Sequence, residues 1–247
     1  MGVNKKATNI AVVGELVRIP FHVDIITAMF KYIQRLSMFD ENHLLSQALQ
    51  DSRNLEQTGT KSWYSCINSI AHDIGVGFND TQKVKTILIN RYKSFWRNQI
   101  EHNGEIKQGK LRTYCKFKYI FEKEPYLKYV TNSQVRKSLT QFRISAHDLA
   151  IERGRYKNID KDKRICKLCS NNDIEDECHF LLNCKAYDKE RTNLLENVQK
   201  YCSNFKSLNN DLKFIWLLSC EDKLICNELA SFIHKSFDMR QTMLKST

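Results

Sequence analysis

Proline and glycine are scarce: two prolines and eight glycines in 247 residues leave little material for long disordered linkers. No apolar run approaches the ~18 residues that a membrane-spanning helix needs. The N-terminus has no secretory-leader pattern. Its Met1-Gly2 start suggests myristoylation, but Lys6 stands where that signal needs Ser or Thr, and the C-terminal Leu244-Lys245-Ser246-Thr247 has no lipidation cysteine. No serine or cysteine stands in a recognisable nucleophile-and-base motif. A second Cys-x-x-Cys pair is missing too, which removes the double zinc site of a RING-type ligase. These absences point to a soluble intracellular protein, cytoplasmic and/or nuclear, with no membrane partner. In such a chain nine cysteines, an odd number, read as metal ligands and reduced buried thiols rather than a disulfide framework.

What is present is concentrated in one stretch. Cys166-Lys167-Leu168-Cys169 is followed after nine residues by His179 and after four more by Cys184, a C-x2-C-x9-H-x4-C pattern. Three thiolates and one imidazole complete a tetrahedral zinc shell with no position open for water, so one structural Zn2+ is the expected cofactor. The two-residue gap lets the backbone curl round the metal with its amides aimed at the sulfurs. Arg164 and Lys167 flank this turn and offset its negative charge. Asp173-Ile174-Glu175-Asp176 reads as a helix start with Asp173 as N-cap, and that helix would carry His179 inward and end near Asn183. Cys178 stands beside His179, and either could be the third ligand. Neighbouring helical positions point about 100° apart, so only one can bind, and the spacing to Cys184 does not decide which.

Net charge is +11. Between positions 107 and 167, 17 Lys plus Arg stand against 6 Asp plus Glu, so this stretch carries the whole surplus. It also holds Tyr114, Phe117, Tyr119, Phe121, Tyr126, Tyr129, Phe142 and Tyr156. Basic residues neutralise phosphates, and aromatic rings can stack on unpaired bases. Most of these rings are expected in the core. The charge surplus, running directly into the metal motif, is read as a nucleic-acid-binding face. His147, just ahead of the motif, either contacts phosphate or packs beneath the metal segment.

The fold class expected is mainly α: a helical N-terminal part, a small zinc-binding segment, then closing helices. Residues 9–17 are apolar with a polar interruption, and Pro20 suits the first turn of the next helix. There Phe21, Ile25, Ala28, Met29, Tyr32, Ile33 and Leu36 recur at helical spacing. Further helices are expected over 42–55, 62–74 (ended by Gly75 and Gly77), 81–102 (stopped by Asn103-Gly104), 110–121, 133–153 (ended by Gly154), 187–201, 210–218 and 222–237. The seam is placed at 103–109, dividing the chain into 1–105 and 106–247. Two decoys lie on this path. Gly104 to Lys110 matches the glycine-and-lysine part of a phosphate-binding loop, but Leu111 replaces the hydroxyl residue that holds magnesium. Phe39-Asp40-Glu41 faintly suggests polymerase acids. Two-metal catalysis needs several converging carboxylates, so these are read as a cap for the helix at Asn42.

Four segments then form a connected series. They are Leu139-Thr140-Gln141-Phe142-Arg143-Ile144-Ser145-Ala146-His147, Ile151-Glu152-Arg153-Gly154-Arg155-Tyr156, Arg164 through Cys169, and Ile174-Glu175-Asp176-Glu177-Cys178-His179-Phe180-Leu181-Leu182-Asn183-Cys184. The series resembles the C-terminal, zinc-binding region of reverse transcriptases from non-LTR retrotransposons, the long interspersed elements of animal genomes. Gly2 to Lys6 and Gly14-Glu15-Leu16 resemble, more weakly, the region after the polymerase palm. The resemblance implies a thumb-like helical part over 1–105 and a zinc-binding segment over about 135–200, with Cys166, Cys169, His179 and Cys184 as ligands. It thus favours His179 over Cys178. The family's aromatic-x-Asp-Asp polymerase motif is absent, which implies a non-catalytic piece of a longer polyprotein, from a truncated element or an internal start. The expected function is binding RNA or DNA, through Lys137, Arg143, Arg153, Arg155, Lys163, Arg164 and Lys167 on phosphates and Tyr156 on a base. The partners would be nucleic acid and the rest of the polyprotein. The alternative expectation is a zinc-braced helical module for protein interaction.

Overall fold

The computed structural model describes residues 7–105 and 109–246; Gly2 to Lys6 and part of the loop-like decoy at 104–110 lie outside the described residues. The chain is mainly α-helical. Among the described residues there is no strand, and β pairing is limited to an isolated antiparallel bridge between Ile165 and Ile174. Two compact units are formed. One is Arg18–Phe95, and the other joins the described residues up to Val17 to those from Trp96 onward. Neither boundary coincides with the seam expected at 103–109. The helix there continues past Asn103, whose side chain donates back to the carbonyl of Gln99 at 2.7 Å instead of stopping it.

The Arg18–Phe95 unit contains α2 (Phe21–Leu36), α3 (Leu44–Gln57), α4 (Trp63–Ile74) and the first part of α5 (Thr81–Glu105). Pro20 sits at the N-cap of α2 with extended backbone. Ser62 and Ser65 form a reciprocal capping box on α4, and Gly75 closes that helix at φ 68, a left-handed conformation that costs glycine nothing. The core joins Phe30, Ile33, Ile67, Ala71, Ile74, Val76 and Val84. Burying each larger side chain contributes about 1.5–3 kcal/mol. Helix α2 carries two apolar stripes. The buried one is Val23, Thr27, Phe30, Ile33 and Leu36, whereas Phe21, Ile25 and Tyr32 of the expected stripe are exposed. The cap of α3 is His43, whose Nδ1 accepts from the Leu45 amide, rather than the acids at 40 and 41.

The second unit begins with α1 (Asn9–Leu16), followed by the end of α5, α6 (Tyr114–Phe117), α7 (Tyr126–Tyr129), α8 (Ser133–Arg143), α9 (Ala150–Tyr156), α10 (Asp188–Tyr201), α11 (Asn210–Ser219) and α12 (Lys223–Lys245). Gly14 lies against the Trp96 ring, where an added Cβ would meet Cζ2 at 2.5 Å. The basic helix expected over 110–121 shrinks to the single turn α6, because Lys110 and Lys118 are buried and Lys118 turns its ammonium onto Glu124 and the Glu122 carbonyl. The helix expected over 133–153 is two helices. Arg143, Ser145 and His147 are drawn into buried polar contacts, and Ser145 adopts φ 51 at the break. Helix α12 runs beyond the expected end at Phe237. It packs along α8 and α10 over an aromatic core of Phe142, Phe180, Phe232 and Phe237.

Candidate metal centre

Cys166, Cys169, His179 and Cys184 come together, their ligand atoms all within 4.8 Å of one another, and can hold a metal ion. Cys166, His179 and Cys184 are buried and Cys169 half-buried. Two local devices build the cluster. The first is the bridge between Ile165 and Ile174, flanked by Cys166 N–H donating to the Asp173 carbonyl at 2.8 Å and Glu175 N–H to the Arg164 carbonyl at 2.9 Å. Between these rungs the chain folds back and presents Cys166 and Cys169. The second is a π turn over His179–Asn183, in which Cys184 N–H donates to the His179 carbonyl at 2.7 Å. Residues five apart on an ordinary α-helix point about 140° apart. The wider π turn, with its i→i+5 bond, brings them onto one side, so His179 and Cys184 face the same point.

The expected helix start is shifted. Asp173 does not cap it. Asp176 does, accepting from the His179 amide at 2.8 Å. Residues 173–176 instead run extended through the bridge, which sends alternate acids into the protein. Glu175 is buried and binds Arg240 at 2.6 and 2.8 Å and the Ala150 amide at 2.6 Å. Glu177 is buried and takes Arg112 at 2.7 and 2.8 Å, Ser145 at 2.9 Å and His147 at 3.1 Å. Burial pushes the Glu177 carboxyl up, but Arg112 and His147 outweigh it and hold the group well below the usual range. These clamps, missed in the sequence, fix the segment to α9 and α12. Their signal in the sequence is weak, because acids at 173, 175, 176 and 177 suit a helix start as well as an extended run. His147 therefore packs beneath the segment rather than facing solvent.

Within the cluster Cys166 Sγ lies 3.8 Å from Cys184 Sγ, and Cys169 Sγ lies 3.4 Å from His179 Nε2. The contact with Cys184 lowers the Cys166 thiol to about 3, against burial and with help from His179 and the amides of Leu168 and Cys169. The same contact raises Cys184, which keeps the proton of the pair. Burial works to lower the His179 imidazole, but Cys166 reverses that and raises it. Its buried Nδ1 has no hydrogen-bond partner, although Asp173 Oδ2 stands 3.5 Å away. An imidazole that ligates through Nε2 needs such an acceptor for its other nitrogen. Cys178 is outside the cluster. Burial, then Asp176 and Asp211, push its thiol up to about 11, and the four ligand atoms gathered at the site do not include its sulfur.

The expected nucleic-acid contacts divide. Arg143 is buried and cannot meet a phosphate. It donates to Glu15 at 3.1 Å, to Glu124 at 2.5 Å and to the Leu218 carbonyl, with Phe117 and Tyr126 under its guanidinium. Arg164 is buried too; it satisfies the carbonyls of Ile151 and Ile159 at 2.7–2.9 Å, and its stem passes over Gly154, so that glycine makes room rather than ending a helix. In both cases a loop or carboxylate inside the protein takes the charge that sequence reasoning assigns to a phosphate. Arg153, Lys163 and Lys167 are exposed, and Lys137 and Arg155 half-buried. Lys163 pairs with Asp160 at 2.8 Å and Arg155 with Glu152 at 3.0 Å. Tyr156 is 52% exposed, with the Arg155 guanidinium 4.9 Å and the Lys110 ammonium 5.8 Å from its ring centre. Among the described residues no helix is long and apolar enough to cross a membrane. No family model, no characterised protein and no solved structure matches the chain.

Proposed function

We propose that the chain is a non-catalytic nucleic-acid-binding module braced by one structural zinc, of the kind found after the polymerase in non-LTR retrotransposon reverse transcriptases. It would grip template RNA or target DNA for the rest of that polyprotein. Zinc is supported by the donor set, which leaves no open position, and by the spacing. Two thiolates about 2.3 Å from a tetrahedral centre lie about 3.8 Å apart, as the sulfurs of Cys166 and Cys184 do. Cys166, Cys169, His179 and Cys184 would hold the ion, with Asp173 accepting from His179 Nδ1. The zinc supplies a cross-link between the bridge and the π turn.

The observation that carries the binding reading is the exposed run leading into this centre. The Tyr156 ring has the Arg155 guanidinium 4.9 Å and the Lys110 ammonium 5.8 Å from its centre, and Arg153, Lys157, Lys161, Lys163 and Lys167, close to it in the sequence, are all exposed. Cations there neutralise phosphate and release counterions, and a ring beside them can stack on an unpaired base. Filter binding with RNA, single-stranded DNA and duplex DNA at two salt concentrations tests this. Affinity is expected to fall steeply with salt. Replacing Arg153 and Arg155 by Gln should weaken binding to all sequences alike and reduce the slope of log affinity against log salt by roughly one to two units. An unchanged slope would favour the second reading, a zinc-braced protein-interaction module. That reading has its own support in the exposed Phe21, Ile25 and Tyr32 of α2.

A further inference from the structure

Helices α8 and α12 pack side by side, yet one strip along their junction is not apolar. On α8 it consists of Gln134, Lys137, Ser138 and Gln141; on α12, of His234, Phe237, Asp238 and Gln241. Both sets follow the i, i+3, i+4, i+7 spacing of a single helical face, where two packed helices ordinarily place an apolar stripe. Together with Arg240, which is committed to Glu175, and the turn from Ala146 to Leu149 they line a cleft of about 260 Å³. The walls are held in place. Ser138 Oγ lies 3.0 Å from His234 Nδ1, which ties the imidazole to α8, and Asp238 Oδ2 lies 3.7 Å from His234 Nε2. Phe237 is half-buried, with its ring 5.1 Å from that of Phe180 and 6.3 Å from that of Phe142. Its ring is the apolar part of the lining that these two helices contribute, and the packing fixes it. By contrast, the side-chain amides of Gln134, Gln141 and Gln241 make no hydrogen bond to any described residue, and Lys137 has no ion pair among them.

We propose that this cleft receives one unpaired nucleobase of a bound single strand, with the glutamine amides reading its edge and Lys137 meeting the adjoining phosphate. The inference deepens the nucleic-acid reading and rests on it. A carboxamide offers a donor and an acceptor side by side, the pairing that glutamine uses bidentately on adenine. Three amides with no partner among the described residues and an aromatic ring lining one cleft supply the two contacts by which single-stranded RNA is read, a ring to stack on and edges to hydrogen-bond. The stretch that holds α8 also carries the chain's whole positive surplus. The pocket adds something the basic run cannot supply, which is preference among bases.

Fluorescence anisotropy of the full, zinc-supplemented chain with short oligo(A), oligo(C) and oligo(U) ribonucleotides tests it. The protein is expected to favour one of the three by about tenfold or more, the discrimination given by one good bidentate pair. The double variant Gln134→Leu/Gln141→Leu should shrink that preference below about threefold and leave the salt slope unchanged. Gln241→Leu serves as a second variant if the first does not fold. In parallel, AMP, CMP and UMP are titrated while the glutamine side-chain amides are followed by NMR, and shifts are expected at Gln134, Gln141 and Gln241. Equal affinity for all three oligonucleotides, or a preference that survives both variants, overturns the base pocket even though nucleic-acid binding itself stands. Mononucleotide shifts at these amides without oligonucleotide binding would uphold the cleft and sink the wider reading. Neither kind of binding would end both.

Discussion

The two units of the chain are stabilised by different chemistry. Arg18–Phe95 carries 9 Lys plus Arg against 7 Asp plus Glu and holds together through one apolar cluster, with its ion pairs at the surface. The remainder carries 30 against 21 and buries several of its charges. Arg143 sits among Glu15 and Glu124, Arg112 between Glu152 and Glu177, and Arg240 on Glu175. An apolar core tolerates small shifts in register and packing. A buried ion pair does not, because separating its partners strands a charge in a medium that cannot solvate it. Ligands that must meet at one point to hold a metal need the second kind of scaffold.

The difference should be plainest in the response to losing a buried cation. Arg143→Met leaves Glu15 uncompensated at zero exposure. It should cost about 3–5 kcal/mol, read by denaturant unfolding of the unit that contains it. Hydrogen exchange in α2 to α4 should stay as in the wild type. Loss of protection in both units would mean that the contrast is false.

A smaller effect is expected from Gly154→Ala. The added Cβ would lie 2.6 Å from Arg164 Cγ. That side chain cannot swing aside without leaving the carbonyls of Ile151 and Ile159. Overpacking of this kind costs about 1–3 kcal/mol, and the loss should appear as faster exchange at residues 150–164. A variant as stable as the parent would show that Arg164 is not pinned.

The smallest effect belongs to the other unit. Asp73 pairs with Arg91, but the two side chains are 69% and 49% exposed. Asp73→Asn should change stability by less than about 1 kcal/mol and lose even that at high salt. A larger cost would show that this unit, too, depends on its charges.

The same contrast decides what could be read from the sequence. In the apolar unit, helix existence followed from periodicity, and the ends of α4 followed from Ser62 and Gly75. The error there was a choice between two apolar stripes on α2, which spacing alone does not resolve. In the other unit the four metal-motif residues were legible because C-x2-C and the later His and Cys are short-range patterns. The helix starts expected at 133, 210 and 222 fall on or beside the caps Asn132, Asn209 and Asp222. The break between α8 and α9, the buried fates of Arg143 and Arg164, and the clamps on Glu175 and Glu177 were not legible. Arg143 depends on Glu15 and Glu177 on Arg112, far along the chain, and Arg164 on the backbone carbonyls of Ile151 and Ile159, which no residue type marks.

Metal content combined with hydrogen exchange before and after chelation tests the zinc brace most directly. A reduced, folded sample should contain one zinc per chain. Chelation should unfold residues 164–184, as expected where binding contributes about 10–16 kcal/mol coupled to local folding, and leave α2 to α4 protected. Cys178→Ser should keep the metal and His179→Ala should lose it. A folded, reduced chain without zinc, or one whose exchange over 164–184 is indifferent to chelation, would contradict the zinc-braced account.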